Sequence, residues 1–348
     1  MPYERQKIEP SPFPLEFQRK TQKEEEEDII TSVSLKDGFA PFDGRVIIGL
    51  RTKGCSWARS QSGGCTHCKI PFSEICSPDS NNIFGQFIED FSKYDFKEYP
   101  VLCLYTPGSF FDDDEISPFL RMQILEVISK EESIKRLSIE SRPDFISERK
   151  IAIIREILPD IEIEVGLGLD SANEIVRNIF INKGFQFESY LEACEILNRF
   201  GIVVVTYILI KPPFLTESEA IIDGIRSAKK SFESGSSIVS FEPMSIQEGT
   251  TVYQLYKNGL YHPPWLWSVI EIVKEINSLG EIRISQFFYP PAVKYASNCE
   301  RCNLETLQRI KEFNTWGDIK IFDKLKCECQ IEWKKYVGNT EVKMSCYI

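Results

Sequence analysis

Val46-Ile47-Ile48-Gly49-Leu50, an apolar and mostly β-branched run, leads into Gly54-Cys55-Ser56-Trp57-Ala58-Arg59-Ser60-Gln61-Ser62-Gly63-Gly64-Cys65-Thr66-His67-Cys68. The run reads as a strand, and the three cysteines fall in the loop that follows it. Nine residues separate the first two cysteines and two separate the second pair. Three thiolates can hold three irons of a [4Fe–4S] cluster and leave the fourth iron open to a small molecule, which a closed four-cysteine site does not. Spacing alone leaves two other readings open. Zinc could take Cys65 and Cys68 as one pair, completed by Cys55 and a further residue. A redox Cys-x-x-Cys is the third, although that motif normally opens a thioredoxin-like helix with no cysteine upstream.

Outward from this loop the chain alternates. Strand-like runs occur at 46–50, 101–105, 136–140, 161–167, 202–210 and 237–241. Between them lie helix-period segments at 83–92, 117–130, 147–157, 187–199 and 216–233. Strands separated by helices predict βαβ units and a parallel sheet. Six units are too few for a closed eight-unit barrel, so the expected fold is α/β, a partial (β/α)6 barrel with a C-terminal extension. Residues 1–40, with Pro10, Pro12, Pro14 and the charge run Lys23–Asp28, read as a polar N-terminal arm. The barrel is assigned to 41–244 and the extension to 245–348. Within the extension, a helix is expected after Pro263-Pro264-Trp265-Leu266-Trp267 and a strand over 281–288.

In such sheets chemistry gathers where strands end and helices begin. The cysteine loop lies at that edge. So do Thr106-Pro107-Gly108-Ser109-Phe110, Glu140-Ser141-Arg142, Gly168-Leu169-Asp170, Lys211-Pro212-Pro213 and Glu242-Pro243. Each alone is ordinary turn chemistry; five at one edge point to a site.

The 348 residues are 42% hydrophobic and 27% charged, which is normal for a soluble globular protein. No apolar run approaches membrane-spanning length, and the first residues do not read as a signal peptide. Eleven cysteines without a secretion signal point to a reducing, cytoplasmic setting and metal ligation. A net charge of −11 excludes a broadly basic nucleic-acid binder. A nucleic-acid substrate would need a partner or a local patch to supply phosphate attraction.

The Cys…Cys-x-x-Cys loop after a first strand resembles the radical S-adenosylmethionine (SAM) superfamily. Gly54-Cys55-Ser56-Trp57-Ala58-Arg59 with Gly63-Gly64-Cys65-Thr66-His67-Cys68 is similar to the radical-SAM subunits of archaeosine synthases. The likeness recurs at 106–110, 140–144, 166–170, 181–185, 209–217 and 261–268, and spans about residues 40–335. It implies that Cys55, Cys65 and Cys68 bind a [4Fe–4S] cluster whose open iron is chelated by SAM. It also implies that Gly108 and Ser109 lie near the cofactor's amino group. Glu140 and Arg142 would contact its ribose or carboxylate, His67 would lie beside the adenine, and Asp170 would join the cofactor site. For Glu140 and Arg142 a strand-end ion pair is the bland alternative, and for Asp170 a helix cap.

The resemblance further implies a lyase that cleaves a C–N bond in a lysine-modified 7-deazaguanine of tRNA. A lysine-transferring partner subunit would help to bind the tRNA, and a donor such as ferredoxin or flavodoxin would supply electrons. A radical-SAM enzyme acting on a small nucleoside, amino acid or peptide is the first alternative, and a non-enzymatic zinc protein the second. Three features depart from the family pattern: the longer gap after Cys55, His67 where an apolar residue is usual, and Asp170 where relatives often carry Glu. The longer loop leaves room for a different substrate entrance.

Cys299-Glu300-Arg301-Cys302 and Cys327-Glu328-Cys329 form a second set. Four thiolates suit zinc or an auxiliary [4Fe–4S] cluster; ordinary reduced cysteines are the alternative. Cys76, Cys103, Cys194 and Cys346 read as core or incidental residues. Tyr261–Trp267 reads equally well as a base-stacking surface or as a Pro-started helix packing its tryptophans inward.

Overall fold

Alternation along each strand builds the sheet. In β1 (Arg45–Gly49), Val46 and Ile48 are fully buried on one face, while Arg45, Ile47 and Gly49 take the other. The same period runs through β2 (Val101–Tyr105), β3 (Arg136–Ser141), β4 (Glu162–Asp170), β5 (Val203–Ile210), β6 (Ile238–Pro243) and β7 (Glu281–Ile284). The structure is a computed structural model that describes residues 45–69, 82–285 and 292–338. The arm expected over 1–40, Cys76, Cys346 and the end of the strand expected to reach Phe288 lie outside the described residues.

All seven strands are parallel and bonded in chain order, β1-β2-β3-β4-β5-β6-β7. After β1 come the short α1 (Ser56–Arg59) and α2 (Ile83–Phe91). The next crossovers carry α3 (Pro118–Ile128), α4 (Glu148–Ile157), α5 (Phe187–Arg199) and α6 (Glu217–Glu233). Between β6 and β7 lie α7 (Thr251–Lys257) and α8 (Leu266–Ile276); α9 (Asn303–Trp316) and α10 (Cys329–Gly338) follow β7. Their starts are written in sequence. Ser117 caps α3 ahead of Pro118, and Thr216 with Glu219 forms a reciprocal capping box on α6. Chain-order pairing with same-handed crossovers puts the helices on one side of the sheet.

That side is apolar. Val46, Ile48, Leu102, Leu104, Leu137, Ile139, Ile163 and Val165 pack against Phe87, Ile124, Ile151 and Leu197 of the helices. The opposite face is polar, carrying Arg45, Ser138, Glu140, Glu164, Tyr207, Glu242 and Arg283. Arg283 on β7 donates to Glu164 on β4 through two bonds of 3.0 and 3.2 Å. In a flat sheet, strands three positions apart lie roughly 14 Å from one another. The sheet is therefore curled, with its polar face inside: a half-barrel with a hydrophilic lumen.

Two features differ from the sequence expectation. The sheet has a seventh strand, because Ile282 and Ile284 present the same buried face as the first six and pair with Val239 and Phe241. β4 runs to Asp170 rather than stopping at 167, through a bulge between Gly168 and Asp170.

Candidate active site

The cysteine loop leaves β1 over a buried polar anchor. The Thr52 hydroxyl donates to Glu115 at 2.5 Å, and the Ser109 amide donates to the same carboxylate at 2.7 Å. Gly54 turns the chain with φ of +87°, and Cys55 then precedes α1. Arg59 reaches back from α1 to the Gly54 carbonyl and pairs with Asp114. The far end of the loop is held by residues after β4. Asn182 donates to the carbonyls of Ser62 (3.0 Å) and Gly64 (2.8 Å) and accepts from the Trp57 indole at 2.7 Å through its own carbonyl. The Thr66 amide donates to Ile181. On the remaining side the Lys69 amide donates to Gln247 at 2.8 Å. Three barrel connections thus fix one loop.

The segment after β2 closes on the same loop. A Cβ on Gly108 would fall 2.6 Å from the Cys55 Cα, so the two backbones touch where only glycine fits. The Ser109 hydroxyl accepts from the Arg142 amide at 3.0 Å. Arg142 is buried and bonds Asp144 twice and the Lys183 carbonyl once, with its guanidinium 5.4 Å from the Trp57 ring. It serves here as the strand-end ion pair and joins β3 to the loop.

Asp170, with φ of +64°, pairs with Lys183 at 2.7 Å. Burial lowers the Lys183 pKa, but the charge of Asp170 and its hydrogen bond, with Cys65, together outweigh it and the net shift is upward. Around it sit His67 and Cys65, both sensing the charges of Asp170 and Lys183. Burial pushes the Cys65 thiol up to about 11 and lowers His67 to about 4, so the imidazole is neutral. Its Nδ1 is buried with no hydrogen-bond partner among the described residues. Burial raises Glu140 to about 7 and Glu242 to about 8, the latter also feeling Glu140 and Asp170. Tyr207 crosses over Gly166, where a Cβ would meet its hydroxyl at 2.5 Å, and bonds Glu140.

The comparisons fit this architecture. Residues 51–225 match the family model of the radical SAM superfamily. The chain belongs to that superfamily. It is 36% identical over 83% of its length to an uncharacterized protein of Methanocaldococcus jannaschii, covering 80% of that protein. It is 32% identical over 88% of its length to archaeosine synthase subunit beta of Thermococcus kodakarensis, covering 94% of that subunit. Among solved structures, archaeal Elp3 of Methanocaldococcus infernus superposes with a TM-score of 0.52 at 17% identity, over 78% of this chain and 63% of that one. The last likeness concerns fold.

Radical SAM proteins use a [4Fe–4S] cluster and SAM, and the loop fits such a group. Cys55, Cys65 and Cys68 are partly buried at the lumen mouth, on a loop braced from three sides. Among the described residues, they do not form a set of ligand atoms within 4.8 Å of one another, as a single ion would need. A cubane takes each thiolate on a different iron and needs that wider spread. The orphaned Nδ1 of His67 adds a buried polar atom beside them.

The structure brings all nine cofactor-site candidates to the ends of β1–β4. Sequence reading missed Glu115, whose signal was only an acidic run at 112–115, and the pairing of Lys183 with Asp170. Cys299, Cys302, Cys327 and Cys329 converge elsewhere, in the helical layer over β5–β7. Tyr261 and Trp267 are both buried, so these rings pack inward rather than offering a stacking surface. Among the described residues, no helix is long and apolar enough to cross a membrane.

Proposed function

We propose that this protein is the radical-forming subunit of a tRNA-modifying C–N lyase, acting on a 7-deazaguanine that carries a lysine adduct. The observation that carries this reading is the 32% identity with archaeosine synthase subunit beta over nearly the whole of both chains. Cys55, Cys65 and Cys68 would hold the cluster, which with SAM would supply a 5′-deoxyadenosyl radical able to abstract a hydrogen atom. The chain's own residues position the reaction. Gly108 lets the β2 connection lie against Cys55, and Ser109 and Glu140 would hold the SAM amino and ribose groups. Neutral His67 would lie beside the adenine. Arg142 holds the β3 end in register, and Asp170 with Lys183 sets the charge beside Cys65.

The substrate carbon is the lysine methylene beside the linking nitrogen. Loss of a hydrogen atom from that carbon, then of an electron returned to the one-electron carrier that started the cycle, would leave an imine-level cation; addition of water, with loss of a proton, would then divide the adduct. The base keeps an amidine and the lysine leaves as an aldehyde. Glu242 suits this cargo: it is pushed up by burial, and an incoming lysine ammonium would favour its ionised form. The net charge of −11 repels phosphate, so a lysine-transferring partner subunit would carry most of the tRNA contact. A small reductant such as ferredoxin or flavodoxin would complete the system.

The test is anaerobic reconstitution followed by incubation with SAM, dithionite and tRNA bearing the lysine adduct. Nucleoside mass spectrometry should show the adduct converted to the amidine with matching 5′-deoxyadenosine. Stimulation of 5′-deoxyadenosine formation by a free nucleoside or a peptide, and not by the modified tRNA, would refute the tRNA reading.

A further inference from the structure

We infer that Cys299, Cys302, Cys327 and Cys329 bind one zinc ion, and that this ion fastens the C-terminal helical layer to the half-barrel. The four sulfurs lie within 4.8 Å of one another, and no disulfide joins them. Cys299 and Cys302 are 3.7 Å apart, Cys299 and Cys327 3.5 Å, and Cys302 and Cys329 3.6 Å. Four thiolates at about 2.3 Å from a tetrahedral zinc stand about 3.8 Å from each other. The observed spacing matches a single ion. A four-iron cubane would force the sulfurs apart, because each would lie outside a different corner of the cluster. The two cysteine sets thus differ in spacing: among the described residues, the C-terminal four are drawn together within 4.8 Å and the loop trio is not.

The surroundings suit a closed structural site. Cys302 and Cys329 are buried with Phe313, Phe322, Leu325 and Trp333. The Trp267 indole donates to the Cys329 sulfur at 3.2 Å, an N–H···S bond that favours thiolate. The ligands come from the starts of α9 and α10, so the ion ties together two helices that follow the last strand. From there the connection to the barrel is continuous. The Trp333 indole on α10 donates to the Ser268 hydroxyl at 2.8 Å, which donates to Glu217 at 2.6 Å. Glu217 pairs at 2.7 Å with Lys211, which follows β5 with φ of +60°. Without the ion, α10 loses its anchor and this chain loses its outer end.

Elemental analysis of the full chain, purified without added metal, should find one zinc per chain, and zinc-edge absorption should show four sulfur neighbours. Cys327→Ser, at the more exposed ligand pair, should lower zinc at least tenfold after mild chelation. The same variant should keep the iron capacity of the loop on reconstitution. Conversely, Cys65→Ala should lose iron and keep zinc. About eight irons per chain would overturn the inference in favour of an auxiliary cluster. Four freely titrating thiols without zinc in the native wild type would overturn it, as would nitrogen or oxygen neighbours around a zinc that Cys327→Ser retains.

Discussion

Gly108→Ala is the sharpest test of how the cluster loop is held. The added Cβ would lie 2.6 Å from the Cys55 Cα, 2.9 Å from its amide nitrogen and 2.2 Å from a Glu115 carboxylate oxygen. The carboxylate belongs to a buried side chain already bonded to Thr52 and Ser109, so it has little room to swing away. Relief must come from backbone. Moving the Cys55 Cα from 2.6 to an ordinary 3.4 Å is a retreat of about 0.8 Å. Overpacking of this kind costs about 1–3 kcal/mol, which a chain of this size survives. Catalysis is more sensitive, because a shift near 1 Å in a reacting group can cost roughly 100-fold in rate. The expected variant is folded, with a melting temperature a few degrees lower. Its SAM cleavage rate per bound cluster should be roughly 100-fold lower. The assay is 5′-deoxyadenosine formation under dithionite, normalised to iron, beside thermal melts. A wild-type rate in a folded Gly108→Ala protein would show that Cys55 is not locked by this contact.

Arg283→Ala should cost about 3–5 kcal/mol in urea unfolding, because it leaves the buried Glu164 carboxylate without its bidentate partner across the lumen; a loss under 1 kcal/mol would contradict the curled geometry. Asn182→Ala removes both side-chain bonds that close the cysteine loop and places alanine at φ of +61°, so a loss of about 2–4 kcal/mol and lower iron retention are expected. Asp223, bonded to Ser171, is raised by burial from 3.8 to about 7, so the folded state holds its proton more tightly than the unfolded state. Its contribution is complete below pH 3.8 and is lost as pH rises toward and through about 7. Asp223→Asn should therefore equal or trail the wild type near pH 4 and exceed it at pH 8, by up to about 4 kcal/mol; parallel stability–pH curves for the two proteins would disprove the shift.

Strands and crossovers were legible because burial on one face writes a period of two into the chain, as at Val46/Ile48 and Leu137/Ile139. The site's location followed from the same pattern. What stayed hidden depends on contacts distant in sequence. The end of β4 was obscured because Gly168-Leu169-Asp170 reads as a turn, whereas the strand continues through it by a bulge; Gly166, inside the strand, lets Tyr207 pass. The π-turn at Val176–Phe180 adds a residue to a helical turn and leaves no mark on a 3.6-residue period. Glu115 acts by joining Thr52, 63 residues away, to the Ser109 amide, and its place in an acidic run does not distinguish it from its neighbours. The four C-terminal cysteines were visible as ligands, but only the sulfur spacing separates one ion from a cluster.

The long gap between Cys55 and Cys65 raised the expectation of a different substrate entrance. Its added residues are instead used up locally. The Ser60 and Ser62 hydroxyls lie 2.8 Å apart and both donate to the Trp57 carbonyl, at 2.7 and 2.8 Å. The Gly63 amide returns to the Ser60 carbonyl, and Gly64 packs on Ala58 so closely that a Cβ would lie 2.8 Å away. The extra chain therefore folds back on α1 as a capped turn, with Gln61 exposed at its tip. Such a turn changes the rim of the mouth while leaving Cys55 and Cys65 tied to Gly108 and Asn182. Substrate choice through this insertion would act at the rim. The lumen groups Glu140, Tyr207 and Glu242 are set by strands the insertion does not touch.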